Sequence, residues 1–364
     1  MKNIPNFHGS DIEKISQYYG ISKDRIHNFS GNVNPLGLSK NLASKLIANI
    51  HLVTQYPDPD YLELKANIAS YTSSKPEYVL LGNGTTELIA HYIDYVKPKK
   101  VLIVGPTYSE YEKKSKTIQA SVVYYPLKSE NDFKIDIDAL IHEITKDIDL
   151  LVLCNPNNPT ATLTPSSAFY PIFDHCKSNN TFVLVDETYM DFVSNSQELS
   201  SIPLVESYSN LIVLRGFSKF FSAPGLRLGY GITSDLLCHS SITNQRHHWS
   251  INSLSAFAGQ ELLVDRNFID ESLTYIESER IRIAKKLSSF PDIHVFPNYA
   301  NFFLVELTNP KHSSFSLFEY LIHKGLMIRD TSSFPFLHGH YFRFCILSQD
   351  ENTLLLEAIH DYLL

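Results

Sequence analysis

A lysine in a short loop carries the clearest chemistry in this 364-residue sequence. Lys219 ends the segment Gly216-Phe217-Ser218-Lys219, which follows an apolar run at 210–215, and Arg227 comes soon after it. Lysine is seldom buried without a reason. In a tight apolar loop its amine is held neutral and nucleophilic. Ser218 and Arg227 would add a hydroxyl donor and a bidentate cation for a phosphate.

Three other segments end apolar runs with residues that suit a ligand. The turn Gly84-Thr85-Thr86 feeds a helix and would offer N–H groups and a positive dipole end to a phosphate; a threonine N-cap explains the same turn equally well. Asn158 would aim its amide at a ligand or serve only an Asn-Pro turn. Asp186 ends a buried run, where a carboxylate needs a cation. A protonated ring nitrogen, a metal ion and an arginine would each suffice.

The elements around these residues predict an α/β fold. Short apolar runs rich in β-branched residues alternate with helical stretches, which indicates a doubly wound, mostly parallel sheet. Ligands of such sheets bind outside the carboxyl ends of the strands. We therefore expect the residues that end the runs to meet. The runs are 78–81, 100–104, 121–125, 149–154, 181–186 and 210–215.

The sequence also predicts three parts of the chain. Residues 1–45 are interpreted as an N-terminal arm that joins the small domain, residues 46–258 as the large domain, and residues 259–364 as a small α+β domain. The last part opens with a charged helical stretch at 265–288. Strand-like segments follow at 301–307, 326–330 and 341–347.

Composition excludes several classes of function. The net charge is −8, and no basic face suited to nucleic acid is visible. The four cysteines fit neither a disulfide framework nor a metal site, which favours a reducing cytoplasm. The N-terminus lacks a signal-peptide pattern, and no apolar run approaches the roughly 20 residues of a membrane span. The cysteines are Cys154, Cys176, Cys238 and Cys345.

The motifs together resemble a known family. NPNNPT at 155–160, VDETY at 185–189 and FSK at 217–219, followed by PGLRLGY at 224–230, are similar to fold type I enzymes of the aminotransferase superfamily, which depend on pyridoxal 5′-phosphate (PLP). The resemblance covers nearly the whole chain. It implies an α/β fold type I architecture with a smaller α+β domain, PLP as cofactor and a homodimer.

The resemblance also implies a role for each candidate in the cofactor site. Lys219 would form the Schiff base with PLP, and Asp186 would keep the pyridine nitrogen protonated, so that the ring acts as an electron sink. The remaining roles concern the ring and the phosphate. Asn158 and Tyr189 would bond the ring O3′, Tyr108 would stack on the ring, Gly84, Thr85, Thr86, Ser218 and Arg227 would hold the phosphate, and Tyr56 would reach the phosphate of the neighbouring subunit.

Within the superfamily two groups are similar to this sequence, the L-threonine O-3-phosphate decarboxylases of cobalamin biosynthesis and the histidinol-phosphate aminotransferases. The decarboxylase resemblance rests on the early His8-Gly9 pair, the segment FSGNVNPLG at 29–37 and WSIN at 249–252. It implies that His8, Gly9, Asn32 and Arg329 bind the substrate phosphate. Asn158 and Arg343 would bind the rest of the substrate, with Arg343 on the α-carboxylate.

The sequence departs from the decarboxylase pattern in places. Ser10 replaces a glycine, Ala161 stands where glycine is usual, and Tyr189 stands where many decarboxylases have phenylalanine. L-serine O-phosphate therefore stays open as a substrate, since one methyl group is worth only about 1–3 kcal/mol. Histidinol-phosphate transamination is a second alternative, and a non-catalytic ligand sensor is a distant third. No metal site is expected.

Overall fold

The computed structural model describes residues 11–364. The helices are α1 (Ile12–Tyr19), α2 (Lys40–Ala48), α3 (Leu62–Thr72), α4 (Thr85–Val96), α5 (Glu110–Thr117), α6 (Ile137–Glu143), α7 (Tyr170–Asn179), α8 (Ser196–Leu199), α9 (Leu236–Gln245), α10 (Ser253–Val264), α11 (Arg266–Leu287), α12 (Ser314–Ile322) and α13 (Gln349–Leu363). The strands are β1 (His27–Asn28), β2 (Val79–Gly82), β3 (Lys100–Gly105), β4 (Ser121–Pro126), β5 (Leu150–Cys154), β6 (Phe182–Asp186), β7 (Leu211–Gly216), β8 (Gly229–Ile232), β9 (Ile293–Val295), β10 (Phe302–Leu307), β11 (Leu326–Met327), β12 (Arg329–Asp330) and β13 (Tyr341–Cys345).

The main sheet of the described chain has the strand order β2-β8-β7-β6-β5-β3-β4. Strands β7, β6, β5, β3 and β4 run parallel, and β8 is antiparallel to both of its neighbours. Successive residues of one strand enter different apolar clusters, as Val183 and Val185 do on one face and Leu184 on the other. Both faces are therefore covered, as a parallel sheet requires.

A second sheet lies in the C-terminal part of the chain, with the antiparallel order β12-β13-β10-β9. Helices α11 and α12 each contact α13, and α12 also contacts β11 and β12. Strand β1, near the N-terminus, pairs in parallel with β11. This pairing supports the interpretation of the N-terminal segment as an arm that joins the small domain, whose boundaries stay a prediction.

Each of the six apolar runs forms a strand, within one residue of its expected bounds. Strand β8 was not predicted, because its sequence, Gly229-Tyr230-Gly231-Ile232, has too much glycine to favour a strand. The expectation that every run is apolar on both faces is wrong for β4, an edge strand whose residues are partly or fully exposed. The segment 326–330 forms two short strands, β11 and β12, instead of one.

Within residues 11–364, no helix combines the length and apolarity needed to cross a bilayer. The same residues hold no cluster of His, Cys, Asp or Glu arranged for a metal ion. The four cysteines are free thiols.

Candidate active site

A cavity of about 780 Å³ opens where β5, β6 and β7 end. Parallel strands bring their carboxyl ends to one edge, so residues far apart in sequence meet there. Most of the residues singled out from the sequence line this cavity. They are Asn32, Gly84, Thr85, Thr86, Tyr108, Asn158, Asp186, Tyr189, Ser218, Lys219, Arg227, Arg329 and Arg343.

Lys219 lies just beyond β7, with its amine directed at the N-terminal segment. Its Nζ donates a hydrogen bond to the carbonyl of Gly31 at 2.7 Å. Burial lowers the pKa of the Lys219 amine to about 8, and the positive charge of Arg343 acts in the same direction. A neutral amine is a nucleophile and a proton acceptor, so this lysine suits covalent chemistry near neutral pH.

Asp186 ends β6 and is almost fully buried. Its Oδ2 accepts from Tyr111 Oη at 2.7 Å, and its Oδ1 accepts from the amide and hydroxyl of Thr188 at 2.9 and 2.6 Å. Burial raises the pKa of the carboxyl, while the bonds from Thr188 and Tyr111 oppose that rise. Three donors on a buried carboxylate favour its charged form, which suits a protonated ring nitrogen.

The turn before α4 and the side chain of Arg227 lie close together. Gly84 is the N-cap residue, at φ 82°, so the alternative in which a threonine is the N-cap is wrong. A Cβ at Gly84 would lie 2.6 Å from Arg227 Nη2, and one at Gly229 would lie 2.7 Å from Thr85 N. Glycine at these two positions leaves room for the helix N-terminus and the guanidinium to lie close together, an arrangement suited to an anion.

Two arginines face each other across β12 and β13, where Arg329 is paired in register with Arg343. Arg343 is buried, and its guanidinium donates to the Asn158 side chain and, at 2.9 Å, to the Ser30 carbonyl. Burial lowers the pKa of Arg343, and it lowers that of Arg329 to about 10. Among residues 11–364, neither guanidinium pairs with a carboxylate within 4.0 Å.

Asn32 and Tyr189 complete the wall beside these arginines. Asn32 Nδ2 donates to Tyr189 Oη at 3.2 Å, and burial raises the pKa of that phenol. Tyr108 lies just before α5, and the centre of its ring is 5.7 Å from that of the Tyr111 ring. Burial likewise raises the pKa of Tyr108.

Not every residue singled out from the sequence reaches the cavity. Tyr56 is 79% exposed, and its ring lies 4.6 Å from that of Trp249, away from the cavity of its own chain. His8 and Gly9 lie outside the described residues.

Sequence reasoning missed several residues that line the cavity. Tyr111 and Thr188 hold Asp186, and Ser333 bonds Arg329. Tyr111 lies three residues after Tyr108, and Thr188 lies two residues after Asp186, so closeness in sequence to a candidate residue was the available signal. No comparable pattern marked Ser333, which lies in a loop.

Comparison with known proteins identifies the family. The profile of "Aminotransferase class I and II" matches residues 24–359. The threonine-phosphate decarboxylase of Salmonella typhimurium is 32% identical over 98% of this chain and 96% of its own length. A crystal structure of histidinol-phosphate aminotransferase from Clostridium acetobutylicum is 32% identical, has a TM-score of 0.86, and covers 92% of this chain and 98% of that one.

A third relative carries the cofactor. The histidinol-phosphate aminotransferase of Sinorhizobium meliloti was solved in complex with pyridoxal-5′-phosphate. It has a TM-score of 0.86 at 20% identity and covers 96% of this chain and 94% of that one, a likeness of fold.

The chain belongs to the aminotransferase class I and II family. It is a fold type I enzyme, and its cofactor is pyridoxal 5′-phosphate. The cavity fits that cofactor, because a buried carboxylate, a nucleophilic amine and a phosphate cradle lie at one edge of the sheet.

Proposed function

We propose that this enzyme removes the carboxylate of L-threonine O-3-phosphate, releasing carbon dioxide and (R)-1-amino-2-propanol O-phosphate. The observation that carries the proposal is the pair Arg329 and Arg343, which line the cavity without a carboxylate partner among the described residues. Two such cations beyond the cofactor cradle call for a substrate with two anionic groups. The similarity to a threonine-phosphate decarboxylase supports this choice.

The cofactor would be held at three points. The N-terminus of α4, Ser218 and Arg227 would bind its phosphate. Asp186 would pair with the ring nitrogen. Lys219 would hold the cofactor covalently, and Tyr108 would lie against the ring.

PLP supplies an electron sink that weakens whichever Cα bond stands perpendicular to its ring. The residues of the chain then decide which bond that is. Arg343 would grip the α-carboxylate from a fixed position, because Asn158 and Ser30 hold its guanidinium. Arg329 would grip the phosphate. With both ends fixed, the substrate cannot rotate freely about its Cα–N bond, which favours one orientation.

Lys219 would also handle the proton. With its pKa lowered to about 8 by burial, the amine exists in both protonation states near neutral pH. It would therefore return a proton to Cα after carbon dioxide leaves. Asn32 and Tyr189 close the wall on the arginine side and would limit the entry of water.

We further propose that the enzyme works as a homodimer. Tyr56 is exposed, and so are three other apolar side chains of the same segment, Ile47, Ile50 and Val53. Several exposed apolar residues in one short segment are typical of an interface. In a dimer Tyr56 would reach the cofactor phosphate of the other subunit, the role implied by its motif.

Histidinol-phosphate transamination is the second candidate, favoured by the solved aminotransferase at 32% identity.

The test is to incubate the holoenzyme with L-threonine O-3-phosphate without any keto acid. Carbon dioxide and aminopropanol phosphate are expected, and L-serine O-phosphate in parallel measures the contribution of the methyl group. Turnover only when 2-oxoglutarate and histidinol phosphate are present would refute decarboxylation, and absence of any turnover with a bound cofactor would support a ligand sensor.

A further inference from the structure

The far end of the cavity holds a serine that is fixed beside an arginine. Arg329 Nη2 donates to Ser333 Oγ at 2.8 Å, and the Arg329 guanidinium lies 5.8 Å from the centre of the Phe334 ring. Ser333 and Phe334 both line the cavity. Within residues 11–364, the hydroxyl of Ser333 accepts this bond and has no acceptor for its own proton.

The loop that carries Ser333 is braced at both of its ends. Phe334 N donates to Thr331 O at 2.9 Å, and Leu337 N donates to Phe334 O at 3.2 Å. The ring of Phe336 lies 5.7 Å from that of Tyr124 in β4, so the loop crosses to the main sheet. Ser333 therefore has a defined position at the cavity wall, although its side chain remains accessible.

The shape of the substrate's distal anion decides what this serine can do. A guanidinium presents coplanar donors, which satisfy the two oxygens of a carboxylate. A phosphate monoester has three terminal oxygens in a tetrahedral arrangement, so one oxygen lies outside that plane. A hydroxyl beside Nη2 is suitably placed to donate to the third oxygen.

We infer that Ser333 is a specificity residue, which donates its hydroxyl proton to the substrate phosphate held by Arg329 and so favours a phosphate over a carboxylate at this end. The inference rests on the proposed function, since it assumes a phosphorylated substrate.

The chain offers a matched control. Ser332, next to Ser333, donates its hydroxyl to Asp330 Oδ1 at 2.6 Å and does not line the cavity. The variants are Ser333→Ala, Ser333→Thr, which keeps a hydroxyl, and Ser332→Ala. Loss of one hydrogen bond to a charged group predicts a KM for threonine phosphate about tenfold higher in Ser333→Ala. We expect kcat to stay nearly constant, Ser333→Thr to recover most of the loss, and Ser332→Ala to match the wild type.

A binding measurement separates this role from a structural one. Inorganic phosphate and succinate are titrated into each holoenzyme, and the absorbance of the bound cofactor is followed. Ser333→Ala should weaken phosphate about tenfold and leave succinate unchanged. An unchanged phosphate affinity, or an equal loss for both anions, would overturn the inference. If the wild type neither turns over threonine phosphate nor binds phosphate, the proposed function itself fails. If the wild type turns over threonine phosphate and Ser333→Ala has the same KM, only the role of Ser333 is rejected.

Discussion

The two ends of the cavity are built differently. At the cofactor end, Asp186 receives three hydrogen bonds and the cradle pairs Arg227 with a helix N-terminus. At the substrate end, Arg329 and Arg343 stand side by side with no carboxylate partner among the described residues. The protein itself supplies the hydrogen bonds at the first end, whereas the two guanidiniums at the second end would be available to a ligand.

This difference separates two kinds of consequence. Changes at the cofactor end should abolish every reaction of the enzyme, because they remove the shared chemistry. Changes at the substrate end should alter which substrate is accepted, because they remove one anchor and leave the cofactor in place.

The largest effect is expected for Lys219→Ala at the cofactor end. Loss of the amine removes both the covalent anchor and the proton carrier, so activity should fall by at least about 10³-fold. Borohydride reduction followed by peptide mass analysis should find the cofactor on Lys219 in the wild type only. Lys113→Ala serves as the control, since Lys113 also lines the cavity but pairs with Glu110. Attachment at another lysine would contradict the assignment.

Asp186→Asn should be the next most damaging change. It removes the buried charge that would lie opposite the ring nitrogen, and breaking a buried ion pair costs about 3–5 kcal/mol, or roughly 10²–10⁴-fold in kcat. Tyr111→Phe removes only one donor to Asp186 and should cost far less. Absorbance titration of the holoenzymes and steady-state kinetics check both variants. Equal losses in the two would mean that the carboxylate charge is not the decisive feature.

Substitutions of the two arginines at the substrate end should differ in which substrates they affect. Arg343→Lys keeps the charge but loses the planar fork, so kcat/KM should fall about 10–100-fold for phosphorylated and unphosphorylated amino acids alike. Arg329→Lys should give a similar loss for threonine phosphate and little change for threonine. Kinetics on both substrates measure the split. If the two variants lost activity in the same way on both substrates, the proposed carboxylate and phosphate sites would not be distinct.

A separate effect concerns the stability of the cofactor-free protein. Burial lowers the folded-state pKa of Lys219 from its ordinary 10.5 to about 8. Between these values the unfolded chain binds more protons, so the contribution of Lys219 to stability rises with pH from about 8 to about 10.5. Urea unfolding at several pH values should show that the free energy of unfolding of the wild type increases relative to that of Lys219→Met over this pH window. A difference that does not vary with pH would contradict the lowered pKa.

The cofactor end was largely predictable from the sequence because parallel strands must bring their ends together. Asp186 ends one strand and Lys219 closely follows the next, and both strands were predicted within one residue, so their meeting follows from the topology. The neighbouring β8 escaped prediction because its glycines hide the strand, although Gly229 is needed for close packing against Thr85.

The substrate end depends on contacts over long sequence separations, which no local pattern encodes. Arg329 meets Arg343 through strand pairing in the second sheet, and the Asn32 segment reaches them from near the N-terminus. A resemblance to a family singled out these three residues. Ser333 belongs to a loop whose course follows from tertiary packing, so only the structure brought it to the site.

The fate of the substrate carboxylate tests the account most directly. L-threonine O-3-phosphate labelled with ¹³C in its carboxyl group is given to the holoenzyme together with 2-oxoglutarate, so that both reactions are open. We expect the label to leave as ¹³C-carbon dioxide and glutamate to remain absent. Label retained in a phosphorylated 2-oxo acid, with glutamate formed in equal amount, would contradict decarboxylation and identify the enzyme as an aminotransferase.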